Sequence, residues 1–449
     1  MKYTLVKELG CGGFGKVSEV QDCDGKSFAM KEFFPNAEIK LIIANGHITE
    51  DDLKKRFYKE VKYQSKIDSP NVVRIIDTDL NSETPWYLME LADGTLSDDL
   101  KADRTLGGEP QKALFDILAG LEAIHDLGIV HRDLKPVNIL KFTNQHENTH
   151  YAVSDFGLIT APNSDTTTIT KTGHGGGTQL YAAPELITNF KHATSSADIY
   201  SFGAILHDIF GGGNRTPYSQ HTVPGPCREI VEKCTHKNVV RRYQDIASLR
   251  SDLFTALDSY KFEVGTTEEN ELIELLNTND SLTDDEWDRF FEALGDTNIW
   301  KDAMYPLFRA IRREHFVTLS EGEPNLLNAL GMEFSIYVRN YSHDFNYCDI
   351  LADKLEELFN LGSIGLKAHC LLTFIIMGVS HNRWFVERKF LKLASKDCDQ
   401  RVIKRLLLEI EAEEINFERL VSRLELSLGA SRDQLHSEIT SALALHNDD

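Results

Sequence analysis

Residues Ile129–Leu140, IVHRDLKPVNIL, place several polar groups of complementary chemistry on one short stretch between apolar ends. Asp133 can accept a proton from a hydroxyl or orient it, and Lys135 can neutralise a phosphoryl group during transfer. Asn138 can offer an amide oxygen to a metal, while Arg132 needs an anion as its partner. Charged groups among buried residues require such partners or a highly charged ligand. The stretch therefore predicts phosphoryl-transfer chemistry.

Other motifs along the chain could serve the same reaction. GCGGFGKV, residues 10–17, lies between two strand candidates, and glycines let a backbone approach phosphates closely. A dinucleotide-binding turn would need a helix directly after it, but another strand follows. Lys31 in FAMKEF is a cation for phosphate oxygens, which Glu60 in RFYKEV could orient. Asp155 in SDFGL adds an oxygen ligand, and such ligands together with phosphates suit Mg²⁺.

The elements that must position these residues change character along the chain. About the first ninety residues are strand-rich, with alternating apolar runs and glycine-containing turns. Between them, DDLKKRFYKEVKYQSKI shows the helical spacing of Leu53, Phe57 and Val61. Helices dominate from Gly94 onward, and the polar segment YKFEVGTTEENE predicts a linker. Beyond it, apolar residues recur at helical spacing to the end of the chain, so a helical repeat is an open alternative there.

The motifs resemble those of the eukaryotic-type Ser/Thr protein kinases, over about residues 1–258. The Gly-rich loop, A-M-K, the helix glutamate, H-R-D-L-K-P-x-N, D-F-G and A-P-E all occur in the family's order. The resemblance implies an α+β, two-lobed kinase fold with an N-lobe at 1–92 and a C-lobe at 93–260. An acidic all-helical domain with a regulatory or interaction role would follow at 265–449. Lys135 and Thr178 resemble Ser/Thr rather than Tyr kinases, and the ending RYQDIASLRSDL resembles bacterial members.

The resemblance implies transfer of the γ-phosphoryl group of ATP to Ser or Thr of proteins, with Mg²⁺, and it assigns roles to motif residues. Adenine and phosphates would contact Gly10, Gly12, Gly15, Val17, Ala29, Lys31, Met89, Glu90, Ala92 and Leu140. The catalytic set would be Asp133 as base, Lys135, Lys31 and Glu60, with Asn138 and Asp155 ligating Mg²⁺. Structural roles would fall on Arg132, Asp198, Glu185 and Arg242.

Two departures from the family pattern affect the N-lobe. About ten residues more than the usual spacing separate Lys31 from Glu60, and NAEIKLIIANGHITE fills the gap, which an extra helical turn would accommodate. Glu38 and Glu50 are therefore rival partners for Lys31. One helical turn after Glu60, Gln64 stands where the family usually has an apolar residue. This predicts an active arrangement that is less stable and depends on phosphorylation or a partner.

A threonine-rich segment, NSDTTTITKTGHGGGT, follows D-F-G. In the family, an arginine at the position of Arg132 often pairs with a phosphorylated activation loop. We predict autophosphorylation at one or more of the threonines, which would order the segment through a phosphate–arginine bridge. The alternative is a loop that merely tolerates substitution. The candidates are Thr166, Thr167, Thr168, Thr170 and Thr172.

Composition bounds the classes of partner. The net charge is −22, of which residues 261–449 carry −15, so the chain is a poor candidate for binding nucleic acid. The acidic half serves solubility or binds a protein partner. Seven scattered cysteines predict reduced thiols in the cytoplasm. The most apolar run, residues 371–379, is too short to span a bilayer and predicts a buried helix, so no membrane association is expected.

Three other functions stay open at this stage. A small-molecule phosphotransferase could share the fold, although A-P-E and its arginine partner favour the protein kinases. A nucleotide-sensing scaffold could signal through the C-terminal helical domain. A purely structural interaction protein would bind neither Mg²⁺ nor ATP. The sequence leaves the protein substrate and the partner of the helical domain unidentified.

Overall fold

The computed structural model of the 449-residue chain divides it into two compact units, Met1–Ser259 and Tyr260–Asp449. The structure describes residues 2–45, 48–143, 149–156, 178–188, 193–212, 215–258, 267–295 and 304–445. The five candidate threonines between 166 and 172 lie outside the described residues.

The first unit begins with an antiparallel five-stranded sheet in the order β1-β2-β3-β5-β4. Two helices, α1 and α2, lie between β3 and β4 in the chain. The bounds are β1 (Thr4–Cys11), β2 (Gly15–Gln21), β3 (Ser27–Phe33), α1 (Ala37–Ala44), α2 (Glu50–Gln64), β4 (Ile75–Asp79) and β5 (Trp86–Glu90).

Local chemistry explains where α2 begins and which face it buries. Thr49 and Asp52 form a reciprocal capping box at its N-terminus. Its buried side chains recur at helical spacing, and Phe57 packs against the rings of Phe33 and Tyr87 in the sheet. The same face carries Glu60, because three and seven residues separate it from Phe57 and Leu53. Packing of the apolar face therefore turns a carboxylate toward the sheet.

The rest of this unit is mainly helical, with one small antiparallel sheet in the order β6-β7-β8. A Cβ atom at Gly120 of the central helix would clash with the carbonyl oxygen of Asn71, so close packing there requires glycine. The bounds are β6 (Gly94–Thr95), α3 (Leu96–Ala102), α4 (Gln111–His125), β7 (Ile139–Thr143), β8 (Thr149–Val153), α5 (Glu185–Thr188), α6 (Ser196–Phe210), α7 (Arg228–Cys234) and α8 (Ile246–Asp258).

The described residues of the second unit form helices joined by turns, with one isolated β-bridge between Ser395 and Leu435. Its bounds are α9 (Thr267–Thr278), α10 (Asp284–Gly295), α11 (Met304–Ala310), α12 (Arg313–Gly322), α13 (Pro324–Asn340), α14 (Tyr347–Leu361), α15 (Ile364–His381), α16 (Trp384–Leu393), α17 (Gln400–Ala412), α18 (Phe417–Leu428) and α19 (Ser437–Leu445).

Helix α15 forms the centre of the second unit and contacts α13, α14, α16 and α17. It contains residues 371–379, the run predicted to form a buried helix, and the side chains of this run are almost all buried. Among the described residues, it is the one helix long and apolar enough to cross a membrane, but most of it is buried within the unit. Its apolar character therefore serves the core of this unit.

Candidate active site

Lys31 lies between two carboxylates that come from distant parts of the chain. Its Nζ donates to Glu60 Oε1 at 2.6 Å and to Asp155 Oδ1 at 3.0 Å. The same Glu60 oxygen accepts from the hydroxyl of Tyr87 at 2.8 Å. Of the three glutamates that could have paired with Lys31, Glu60 is the partner, whereas Glu50 pairs with Lys54 on its own helix.

The electrostatics of this cluster follow from desolvation opposed by ion pairing. Burial raises the pKa of Glu60, and the Lys31 ammonium acts against that rise. Burial would lower the pKa of Lys31, but the carboxylates of Asp155 and Glu60 outweigh it and raise that pKa well above its usual value. Desolvation would raise the pKa of Asp155, yet Lys31 holds it at about 2. The cluster therefore keeps a cation and an ionised Asp155 in place at neutral pH.

Asp133 is held by two of the polar neighbours that the sequence places beside it. Its Oδ2 accepts from Lys135 Nζ at 2.7 Å and from Asn138 Nδ2 at 3.2 Å. Asn138 Nδ2 also donates to the main-chain oxygen of Asp133 at 2.9 Å. Because its nitrogen donates to Asp133, Asn138 can offer its amide oxygen to a cation.

The buried carboxylate of Asp198 holds the main chain of the loop that carries Asp133. Its carboxylate accepts from the main-chain amides of His131 at 2.9 Å and Arg132 at 2.8 Å, and it lies 2.8 Å from His125 Nε2. Desolvation opposes ionisation, but the hydrogen bond from His125 and the surrounding positive charge lower the pKa of Asp198. Arg132 has a φ of 68°, a left-handed conformation that a non-glycine residue holds only when its surroundings fix it.

The β7–β8 hairpin brings Asn138 and Asp155 to the same end of a two-strand ladder. Ile139 pairs with Val153, and Ser154 donates to the main-chain oxygen of Asn138 through its amide at 2.8 Å and its hydroxyl at 2.9 Å. Asp155, at φ 63°, is a second left-handed residue, and such strain is typical of functional sites. An amide oxygen and an ionised carboxylate are both hard ligands, so this pair fits Mg²⁺.

The Gly-rich loop joins β1 to β2 next to Lys31. Gly10 is in β1, Gly12 donates its amide to the oxygen of Gly15 at 2.8 Å, and Gly15 begins β2. A Cβ atom at Gly15 would lie 2.9 Å from Cε of Lys31, so a side chain there would displace the lysine from its present position. None of these three glycines has a positive φ, so they are not needed here for a left-handed backbone conformation.

The residues expected to enclose adenine meet in one apolar cluster, which joins side chains of the N-lobe to those of β7 and β8. Ala29 and Met89 are buried members, while Val17, Ala92 and Leu140 are partly buried and pack against them. Glu90 ends β5, where it pairs with Phe28 of β3.

Glu185 and Arg242 form the ion pair that the resemblance implies. The guanidinium donates to both carboxylate oxygens at 2.7 and 2.8 Å. It also donates to the main-chain oxygens of Ser196 and His236. Because the Arg242 side chain is fully buried, these contacts fix the segment around A-P-E to the helical lobe.

Two functional contacts escaped the sequence analysis. The hydroxyl of Tyr87 donates to Glu60. Tyr87 pairs with Lys31 across β3 and β5, so a prediction of that strand register would have revealed the contact. Asn71 donates to Tyr151 O at 2.9 Å and accepts from Val153 N at 2.8 Å, which holds β8 beside the chain between α2 and β4. No local pattern marks Asn71.

Residues 3–278 of the chain match the family described as the protein kinase domain. The chain belongs to this family. The predicted recognition and fold class are therefore confirmed: a kinase domain with a β-sheet N-lobe precedes a region of many helices. The family match ends at residue 278, the last residue of α9, so it reaches into the second structural unit.

Curated bacterial kinases are similar to the chain. It is 26% identical over 280 residues to the probable serine/threonine-protein kinase PknB of Lactococcus lactis, covering 57% of this chain and 42% of the relative. It is 27% identical over 285 residues to the serine/threonine-protein kinase PrkC of Bacillus subtilis, covering 58% and 41%. It is 30% identical over 258 residues to PkaA of Streptomyces coelicolor, covering 53% and 47%. The aligned part thus spans less than half the length of each of these relatives.

Proposed function

We propose that the chain is a protein kinase that transfers the γ-phosphoryl group of ATP to Ser or Thr side chains of proteins. The observation that carries the proposal is the convergence of Lys31 with Glu60 and Asp155, beside a loop in which Asp133 contacts Lys135 and Asn138. Phosphoryl transfer needs positioned cations and an acceptor for a hydroxyl more than covalent chemistry. The names of the relatives, which are serine/threonine-protein kinases, support the proposal.

The N-lobe would bind the nucleotide. The apolar cluster around Ala29 and Met89 would receive adenine, with the backbone of Glu90 and Ala92 bonding its edge. Lys31 would bind the α- and β-phosphates, because Glu60 fixes the position of its ammonium and leaves it charged. The amides of the Gly-rich loop would cover the phosphates.

The catalytic loop would hold the substrate hydroxyl. Asp133 would orient the hydroxyl and accept its proton, and the hydrogen bonds from Lys135 and Asn138 fix the carboxylate for that task. Lys135 would neutralise the phosphoryl group as it moves to the hydroxyl oxygen. Asn138 and Asp155 would hold Mg²⁺, which when bound supplies charge neutralisation at the phosphates.

The proposal also covers the regulation of the kinase, a partner for its second unit and its cellular compartment. Autophosphorylation at one or more of the threonines between 166 and 172 would create a phosphate that can bind Arg132 and order the segment. The helical second unit would bind a protein partner, and its acidic balance favours a basic one. The protein would be cytoplasmic, because seven scattered cysteines are typical of reduced thiols rather than of a disulfide framework.

The test is incubation of the purified full chain with radiolabelled ATP, Mg²⁺ and a Ser/Thr peptide library. Lys31→Ala and Asp133→Asn should each lower labelling of peptides by roughly 100-fold or more. Lys54→Ala and Asp77→Asn change the same residue types in peripheral ion pairs and should label normally. Equal labelling by the Asp133→Asn protein would overturn the catalytic assignment. Replacing all five threonines by alanine without losing self-labelling or activity would overturn the autophosphorylation proposal.

A further inference from the structure

The tip of the Gly-rich loop is hydrogen-bonded to the segment that leads into α1, the helix formed by the unusual insertion. The pairing of β2 with β3 ends formally at Gly15 and Phe33. Bonding continues past both strand ends, because Phe34 N donates to Phe14 O at 3.0 Å and Asn36 N donates to Gly13 O at 2.8 Å. Two successive carbonyls of the loop tip are thereby fixed.

Helix α1 is in turn fixed to the sheet. Asn36 is its N-cap, and Oδ1 of that side chain accepts from Ile39 N at 3.0 Å. Ile39 is buried in the apolar cluster of the N-lobe, against which Phe14 also packs. Its Cγ1 lies 3.8 Å from the position that a Cβ on Gly13 would occupy. The first turn of α1 therefore supports the loop tip with both backbone and side chain.

This support determines where the loop amides point. In a planar trans peptide, the C=O and the following N–H point in opposite directions. The carbonyls of Gly13 and Phe14 both face residues 34–36, so the amides of Phe14 and Gly15 both face away from that segment. Successive amides that point the same way form an anion-binding concavity.

We propose that α1 is a positioning element for the nucleotide, with Asn36 and Ile39 holding the carbonyl side of the loop tip so that its amides are preset for phosphate oxygens. The proposal rests on nucleotide binding at the site proposed above. Preorganised donors bind more tightly because the loop need not be ordered at the moment of binding. The insertion thus contributes to phosphate affinity without touching the nucleotide.

A pair of variants at one position isolates the Asn36 amide. Asn36→Pro and Asn36→Ala both remove the capping side chain, but only proline removes the N–H that binds Gly13 O. The φ of −71° at Asn36 suits proline. Calorimetric titration of the full-length variants with Mg²⁺-ATP and with adenosine, which lacks phosphates, should show ATP binding about five- to tenfold weaker for Asn36→Pro than for Asn36→Ala. Adenosine affinity should be equal for the two.

Variants at Ile39 provide a second, independent test of the proposal, with their own controls. Ile39→Ala should weaken ATP binding several-fold and leave adenosine binding unchanged, whereas Ile39→Val should restore most of the ATP affinity. Leu41→Ala, on the exposed face of the same helix, should behave as wild type. Equal ATP affinity of the two Asn36 variants would overturn the inference, as would parallel losses for ATP and adenosine, which would indicate general damage to the lobe. Failure of the wild-type chain to bind ATP would overturn the proposed function, and the inference with it.

Discussion

Glu60 shows at the residue scale how a buried charge is held in the site. Its Oε1 receives both the Lys31 ammonium and the Tyr87 hydroxyl, and its Oε2 has no hydrogen-bond partner among the described residues. Burial raises the pKa of this carboxyl, so each donor that favours the ionised form matters. Removing one partner of a buried charge is more costly than the intact pair is stabilising.

Tyr87→Phe should therefore destabilise the kinase domain without creating a cavity. The change removes a hydrogen bond to a buried carboxylate, and we expect the free energy of unfolding to fall by about 1–2 kcal/mol. Urea denaturation of the full chain measures it. Tyr58→Phe on the same helix as Glu60 is the matched control, because the described structure shows no hydrogen bond for that hydroxyl. Equal stability of Tyr87→Phe and wild type would contradict the assigned role.

Gln64 is a second residue that the tertiary structure explains only in part. It is buried, and Nε2 donates to Val73 O at 2.7 Å, which ties the end of α2 to the chain that leads into β4. Its Oε1 has no partner among the described residues. The glutamine thus replaces apolar packing by one hydrogen bond and one unpaired oxygen. The expectation that it weakens the active arrangement stays a prediction.

At the scale of elements, the contact between α16 and α18 contains a buried carboxyl. Glu387 on α16 is almost fully buried and accepts from Ser427 Oγ on α18 at 2.6 Å. It also packs against Gly378 of α15, where an added Cβ would lie 2.8 Å from Glu387 Cγ. Burial raises its pKa to about 7, against the opposing effects of Ser427 and nearby arginines.

The raised pKa makes this helix contact sensitive to pH. Between the ordinary pKa of 4.5 and the folded value of about 7, the native state binds more protons than the unfolded state, so stability falls as the pH rises. The contribution is fully present below pH 4.5 and lost above about pH 7. Relative to Glu387→Gln, the wild type should lose about 3 kcal/mol between pH 4.5 and pH 8.

Thermal unfolding of the full chain across this pH range measures the difference. Glu411→Gln, which removes an exposed carboxylate from α17, is the control and should follow the wild-type pH profile. A pH profile of Glu387→Gln that is parallel to that of the wild type would contradict the assignment.

At the scale of the whole molecule, each of the two units has its own buried apolar residues. The proposed nucleotide site uses residues of the first unit alone, whereas the second unit is organised around α15. A ligand that binds one native unit stabilises that unit by mass action.

Calorimetry of the full chain with Mg²⁺-ATP should therefore show a rise in the temperature at which the kinase domain unfolds. At a nucleotide concentration 100 times Kd, the gain is about 2.7 kcal/mol, which should raise the transition of the kinase domain by about 5–10 °C. The Lys31→Ala protein should show no such shift. A wild-type transition that does not move with Mg²⁺-ATP would contradict nucleotide binding at the proposed site.

The sequence by itself determined the chemical groups of the site and the types of element that carry them. The order of the motifs from Gly10 to Arg242 was sufficient for the family, and alternation or helical spacing was sufficient for β3 and α2. Such patterns are local, because a few neighbouring residues decide whether a segment forms a strand or a helix and which of its faces is apolar.

Only the tertiary structure decided which groups meet. Lys31 contacts a carboxylate 29 residues away and another 124 residues away, and nothing local to Lys31 distinguishes Glu60 from Glu38 or Glu50. The bond from Asn36 to Gly13, the support of Glu60 by Tyr87 and the bond from Gln64 to Val73 likewise depend on strand register and helix packing. The physical reason is that these contacts form only after distant segments pack, so their energies are properties of the fold.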